Sequence, residues 1–209
     1  MDQVRLSGPR LTLREYAHTP QEVAALHAVL GDPDTVRHLA FEPYGFEDCA
    51  DQIELYLEEA EREPRTVYRL AVRRRADGED APAIGTAALT LDGDRAAQLG
   101  FALRRDTWGL GYAGEITGLL CRLGFARLGL HRLAARTDPG NLACARVLTR
   151  AGFHREGRIR HDLCRAGRWL DSDQYSLLEH EWRPDPGDPA RPGGGENPTP
   201  DPAAHRIPR

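Results

Sequence analysis

The 209-residue chain contains no lysine: all 28 of its positive charges are arginine, against 32 acidic residues, for a formal net charge of -4. A phosphate loop of the G-x-x-x-x-G-K-[ST] type is thereby excluded, because the pattern requires a lysine. A broad nucleic-acid clamp is disfavoured, since counterion release takes a clear basic excess on the binding face. Sulfur is scarce too, with one methionine and four cysteines. Cys49, Cys121, Cys144 and Cys164 lie far apart without a C-x-x-C pair, which argues against a zinc ribbon or a dense disulfide framework and for a reducing cytoplasm. No metal is expected. No apolar run approaches the roughly 18 residues of a membrane span, and the opening M-D-Q-V-R-L-S-G-P-R has no apolar core of signal-peptide length. The expectation is a cytoplasmic protein with neither membrane nor nucleic acid as a partner.

What is present is the composition of an ordinary folded domain, 40% hydrophobic and 29% charged. It changes after Trp182: residues 183–209 hold eight of the 15 prolines, and their four arginines offset four acids. Such a segment cannot bury enough apolar surface to offset its ordering entropy. One domain over residues 1–182 and a disordered proline- and glycine-rich tail over 183–209 are therefore expected, and no internal repeat is visible.

Leu6 to Glu15 contains the alternation L-T-L-R-E after a Gly-Pro turn and reads as a strand. Thr19-Pro20-Gln21-Glu22 is a capping box with proline at the first helical position, opening a helix that ends near Gly31. Phe46, Cys49, Ala50, Ile53, Leu57 and Ala60 recur at helical spacing, so a second amphipathic helix is expected over 47–63. From Val67 to Leu103 three short strands with short polar connections imply an antiparallel meander. A helix over 111–128, the strand H-R-L-A-A-R-T, a helix over 141–151 and two strands around 153–160 and 169–178 complete the pattern. The order β-α-α-β-β-β-α-β-α-β-β describes an α+β domain on one mostly antiparallel sheet.

Trp108-Gly109-Leu110-Gly111-Tyr112-Ala113-Gly114 follows a strand and opens a helix. Such a turn presents unpaired amides at the positive end of the helix dipole, and its glycines let an anion approach the backbone, so a phosphate or pyrophosphate is the expected ligand. G-L-G-Y-A-G also matches the dinucleotide fingerprint literally, with Asp138 ending the following strand. Context argues against that reading. Arg104-Arg105-Asp106-Thr107 intervene before the first glycine, three hairpin-linked strands precede, and only one helix and a hairpin follow Asp138. A turn that binds nothing is the remaining alternative.

Four stretches together carry a more specific resemblance: R-L-T-L-R-E, G-F-A-L-R-R-D-T-W-G-L-G-Y-A-G-E, the run from L-G-F-A-R-L-G-L-H-R-L through N-L-A-C-A-R-V-L-T-R-A-G-F-H-R-E-G, and G-R-W-L-D-S-D-Q-Y-S-L-L-E-H-E-W. Over almost all of residues 5–182 the chain resembles the GNAT superfamily of acyl-CoA-dependent N-acyltransferases, and within it the RimJ/RimL-like branch that acetylates protein N-termini. The resemblance implies a three-layer α/β arrangement with helices on both faces of a mixed sheet and a CoA cleft between two splayed strands, ending near Leu103 and Thr137. It implies acetyl-CoA as cosubstrate, with the backbone of Phe101, Ala102 and Leu103 pairing with the pantetheine arm. The amides of Trp108, Gly109, Leu110, Gly111, Tyr112 and Ala113 would hold the pyrophosphate, and Asn141 would reach the cofactor near its reactive end. Arg146 and Arg150 would contact the phosphates, a solvated helix face being the alternative for both. Dimers are common in the family, so a homodimer is a possibility.

Amide formation from a thioester needs a neutral amine, oxyanion stabilisation and a proton for the thiolate. An α-amino group has a reference pKa of about 7.7 to 8.0, against about 10.4 for lysine, so an N-terminal acceptor needs little help from a base. The backbone N–H of Leu103 or Ala102 would polarise the thioester carbonyl. Many GNAT enzymes carry a proton-donating tyrosine four residues before the glycine of the G-F pair; this chain has Leu148 there. The RimJ/RimL-like branch commonly has serine three residues after the asparagine, where this chain has Cys144. Cys144 is the candidate proton donor, with a small buried filler as its alternative. An acyl-cysteine route is disfavoured because spacing assigns no activating histidine. Gln98 stands where the family often has glutamate and cannot take a proton, so a base is either dispensable or comes from elsewhere, with His38, Glu42 and His161 as unranked candidates. The reading is an N-acetyltransferase acting on an α-amine of a protein. Its alternatives are a small-molecule amine acceptor and a non-catalytic CoA-binding module.

Overall fold

The period-two segments form eight strands: β1 (Arg5–Ser7), β2 (Leu11–Glu15), β3 (Val67–Arg74), β4 (Gly85–Leu91), β5 (Ala96–Leu103), β6 (Arg132–Thr137), β7 (His154–Arg165) and β8 (Arg168–Leu178). They build one sheet in the order β1-β2-β3-β4-β5-β6-β8-β7. Every neighbouring pair is antiparallel except β5 and β6. The structure is a computed structural model that describes residues 3–184; the tail expected over 183–209 lies outside them apart from Arg183 and Pro184.

Helices cover both faces. Strand alternation sends Leu13, Leu70, Leu89 and Leu99 to a core closed by Ile116 and Leu120 of α4 (Tyr112–Cys121) and Leu148 of α5 (Leu142–Arg150). It sends Ala71 and Ala102 to a second core with Val23 and Leu26 of α1 (Pro20–Leu30) and Ile53 of α3 (Phe46–Glu61). Two elements add to the expected order: the single opening strand expected over Leu6–Glu15 is split by the Gly8-Pro9 turn into the antiparallel pair β1 and β2, and a short α2 (Pro33–Val36), opened by Pro33 behind the Asp32 cap, lies between α1 and α3.

Three local features differ from expectation. Thr19 accepts from the Glu22 amide at 3.3 Å, but Glu22 turns its carboxylate into the core against Arg73, so only half of the capping box forms. The helix expected to run to Leu128 widens into a π turn over Arg122–Arg127. There a Cβ on Gly124 would stand 2.8 Å from the Leu133 side chain, so any larger residue would have to displace that buried leucine. The last hairpin is longer than its alternation indicates, because register shifts between Arg155 and Gly157 and between Ile159 and Leu163 interrupt the period of two.

The feature that positions the site is the junction of β5 and β6. They pair only at Ala96 with Arg132, Ala97 with Leu133 and Gln98 with Ala134. Beyond Gln98 both strands continue, to Leu103 and Thr137, and they diverge.

Candidate active site

The gap has a defined chemical edge. Asp92 N donates to Ala96 O at 2.9 Å and Arg104 N to Ile84 O at 2.8 Å, so the even-numbered backbone groups of β5 face β4 through an unbroken register. By the alternation of an antiparallel ladder, Ala102 is committed to β4 while Phe101 and Leu103 turn toward the gap. The Leu103 carbonyl is taken by the Trp108 indole at 2.8 Å. Of the three residues expected to offer their backbone, Phe101 therefore presents both groups, Leu103 its N–H, and Ala102 neither.

After β5 the chain makes a tight turn over Arg105–Thr107, and α4 begins behind Gly111. Gly109 and Gly111 have φ of +76° and +78°, the left-handed conformation that costs a side-chain-bearing residue about 1–2 kcal/mol. Trp108 N donates back to Arg105 O at 3.2 Å, whereas the amides of Gly109 to Gly114 find no acceptor among the described residues. A run of free N–H groups in a left-handed turn at a helix N-terminus forms an anion-binding concavity. Trp108 is thus the one member of the expected amide set already engaged.

Two residues that sequence reasoning did not assign hold this turn. Glu115, in the first turn of α4, accepts from the amides of Arg10 and Leu11, each at 2.8 Å, and from Arg10 Nε at 3.0 Å. Arg10 Nη1 donates to Leu110 O at 2.8 Å, and the guanidinium lies 4.8 Å from the centre of the Tyr112 ring. The available signal was an acid at the helix start and an arginine after the Gly-Pro turn.

A cavity of about 810 Å³ runs along α4 past Gly111, Gly114 and Gly118 to Val147 and Arg150 of α5. Arg150 lines it; Arg146 is exposed and outside its lining. Asn141 caps α5, its side-chain oxygen accepting from Cys144 N at 3.0 Å, which leaves its amide nitrogen to reach outward. Cys144 packs against the main core. Burial pushes its thiol above the ordinary range, partly offset by a hydrogen bond with Thr137. The thiol therefore stays protonated at neutral pH, suited to give a proton and unsuited to act as a thiolate nucleophile. Leu148 is fully buried.

On the α1 and α3 side, Gln98 and Gly100 line a shallow cleft of about 330 Å³. At the end of β6, His38 Nδ1 meets Asp138 Oδ2 at 2.7 Å, and Asp138 Oδ1 accepts from Gly140 N at 2.7 Å. Burial alone would raise the Asp138 carboxyl, but these hydrogen bonds outweigh it and hold it below the ordinary range. Both residues line a cavity of about 250 Å³ with Leu163, Leu170, Asp171 and Ser172. Glu42 is 69% exposed with Arg165 Nε at 3.8 Å, and His161 stacks on exposed Trp169. Among the described residues no group of three or more His, Cys, Asp or Glu is arranged to hold a metal, and no helix is long and apolar enough to cross a membrane.

The family model described as an acetyltransferase (GNAT) domain matches residues 10–154. The uncharacterized N-acetyltransferase YoaA of Bacillus subtilis is 28% identical over 175 residues, covering 83% of this chain and 96% of that protein. Among solved structures, Mycobacterium smegmatis RimJ in complex with CoA-disulfide is similar with a TM-score of 0.71 at 19% identity, covering 86% of this chain and 88% of that one. Spermidine N-acetyltransferase from Vibrio cholerae, in complex with CoA and spermine, is similar with a TM-score of 0.69 at 20% identity, covering 83% and 98%.

Proposed function

Because the chain belongs to the GNAT acetyltransferase domain family, we propose that it transfers the acetyl group of acetyl-CoA to a primary amine by direct attack, and that the acceptor is a protein N-terminal α-amine. The observation that carries this reading is the run of six unpartnered amides, Gly109 to Gly114, beside a strand edge left open beyond Gln98. The amides suit a pyrophosphate, the Phe101 backbone and the Leu103 N–H suit the amide groups of a pantetheine arm, and the cavity ending at Arg150 has room for a phosphorylated nucleoside. Exposed Trp108, Leu110 and Leu142 offer apolar surface for such a ligand to cover.

In the chemical step, an N–H at the β5 edge polarises the thioester carbonyl and holds the oxyanion that forms on attack. As the tetrahedral intermediate collapses, the protonated Cys144 thiol gives its proton to the departing sulfur. The Asn141 side chain fixes the α5 terminus that carries Cys144. The cytoplasm suits this reading, since the four cysteines are all free thiols.

A small amine such as spermidine is the second reading, favoured by Asp138 and Asp171 on the 250 Å³ cavity, where carboxylates would attract a compact cation. Thiol release from acetyl-CoA, measured with alanine-, serine- and methionine-ended peptides and with spermidine, separates the readings. Turnover with free but not N-blocked peptides is expected. Turnover with spermidine alone would transfer the assignment to the second reading, and CoA binding with no turnover on any acceptor would leave a CoA-binding module.

A further inference from the structure

We propose that His38 takes the proton from the attacking amine, with Asp138 as the residue that fixes its tautomer, and that the cavity they line receives the amine. This rests on the acetyl-transfer reading above. Gln98 has no titratable oxygen to offer, so any side chain that takes this proton must come from elsewhere. Of the three other candidates, only His38 is joined to the strand end beside the gap.

The geometry specifies the imidazole. An ionised carboxylate only accepts, so at 2.7 Å from Asp138 Oδ2 the His38 Nδ1 carries the proton. Nε2 then holds the lone pair, and its partner in the structure is a donor, Arg37 Nε at 3.0 Å. Arg37 is exposed, and exchanging one exposed hydrogen bond for an incoming amine N–H costs little. The segment that carries His38 is pinned from the far hairpin: Arg165 Nη1 donates to the carbonyls of Val36, Arg37 and Leu39 at 3.4, 2.8 and 3.1 Å. The charged groups around the imidazole are Arg37 on its own segment, Asp138 after β6, Asp171 on β8, Arg165 on β7 and Glu42 in the following loop. The two carboxylates facing the cavity favour an amine over an anion.

The position also separates the two proton transfers. Thr137 contacts the Cys144 thiol and the next residue, Asp138, orients His38, so one strand end serves donor and acceptor. The amine lone pair forms the C–N bond as the carbonyl electrons move to oxygen, and His38 Nε2 takes one N–H proton. When the carbonyl reforms and the C–S bond breaks, sulfur keeps the bonding pair and takes the Cys144 proton. One proton leaves nitrogen and one reaches sulfur; His38 then loses its proton to water and Cys144 regains one.

The test uses the full chain, acetyl-CoA and the peptide and spermidine panel, with His38→Gln and Asp138→Asn. His38→Gln is expected to lower kcat/KM for the amine on the order of 10²–10⁴-fold, while calorimetry finds CoA affinity unchanged. Asp138→Asn is expected to give a smaller loss, and nitrogen NMR of the wild-type imidazole to show Nδ1 protonated. Turnover of His38→Gln within threefold of wild type, or an Nε2-protonated wild-type imidazole, would each overturn the assignment of His38 alone. Absence of thiol release by the wild-type chain on every acceptor would instead remove the acetyl-transfer reading, and this assignment with it.

Discussion

Arg10 Nη1 donates to the carbonyl of Leu110 at 2.8 Å across a hundred residues of sequence. In a trans peptide the C=O and the following N–H point in opposite directions, so drawing the Leu110 carbonyl toward Arg10 turns the Gly111 N–H away from it, toward the concave side of the turn. Glu115 in turn fixes Arg10 by both its backbone and its guanidinium. The anion site is thus aimed from outside the glycine-rich segment.

Arg10→Ala releases the Leu110 peptide, and Glu115→Gln weakens the bracket. Each is expected to raise the CoA dissociation constant about tenfold, equivalent to about 1.4 kcal/mol. Titration calorimetry measures it, and an unchanged constant in both variants would remove the bracing role.

Gly111→Asp brings a carboxylate to the pyrophosphate position and forces a side chain to φ +78°. The added Cβ meets only Arg10 Nη2 at 3.5 Å, an ordinary contact, so the loss comes from conformation and like charge. CoA affinity is expected to fall more than tenfold, with Gly111→Ala, which carries only the conformational part, falling between it and wild type.

Cys144→Ala is expected to lower kcat about 10–100-fold with CoA affinity unchanged, in line with loss of a general acid. Burial raises the thiol, so the wild-type rate should persist through mildly alkaline pH and fall only as the thiol ionises. In the variant that alkaline limb should be missing. A variant with wild-type kcat at every pH would return Cys144 to packing.

How much of this was legible varies by element. The strands and most helices follow from apolar periodicity, because Leu99 and Leu103 on one face of β5 and Ala102 on the other already encode a sheet covered on both sides. The bulges of β7 were not legible, since an inserted residue erases the period of two. The glycine turn announced an anion site through composition, but its brace lies at Arg10, and a contact between residues 10 and 110 leaves no local signature. Backbone commitment is likewise invisible in sequence: nothing in the string F-A-L says that the middle residue faces β4. His38 and Asp138 are also a hundred residues apart, so spacing could not join them.

Asp173 of β8 accepts from Arg155 and Arg158 at 2.8 and 3.0 Å, and these bonds hold its carboxyl down at about 2. Its folded value lies below its unfolded one, so the stabilisation is present above about pH 4 and is lost as pH falls toward 2. Because both arginines are about half exposed, solvent screens the bonds and the contribution is small. Asp173→Asn should lower the thermal midpoint at neutral pH and converge with wild type near pH 2; parallel curves would sink the idea.

Glu22 and Arg73 form an ion pair with both side chains almost wholly buried, 4% and 6% exposed. Removing one partner strands a charge, so Glu22→Ala is expected to cost about 3–5 kcal/mol in denaturant unfolding. Glu22→Leu with Arg73→Leu should recover most of it. A single variant as stable as wild type would show that Arg73 finds another partner.

The parting of β5 from β6 has a mechanical consequence. Among the described residues, three ladder pairs and the bonds from His131 N and Arg132 N to Arg95 O join one part of the sheet, β1 to β5, to the other, β6 to β8. A ligand hydrogen-bonded along both diverging edges would occupy the place of absent rungs and rivet the two parts together. Its contribution to unfolding free energy grows with concentration as RT ln(1 + [L]/Kd), so a ligand bound in the cleft would also act as a structural tie across the sheet.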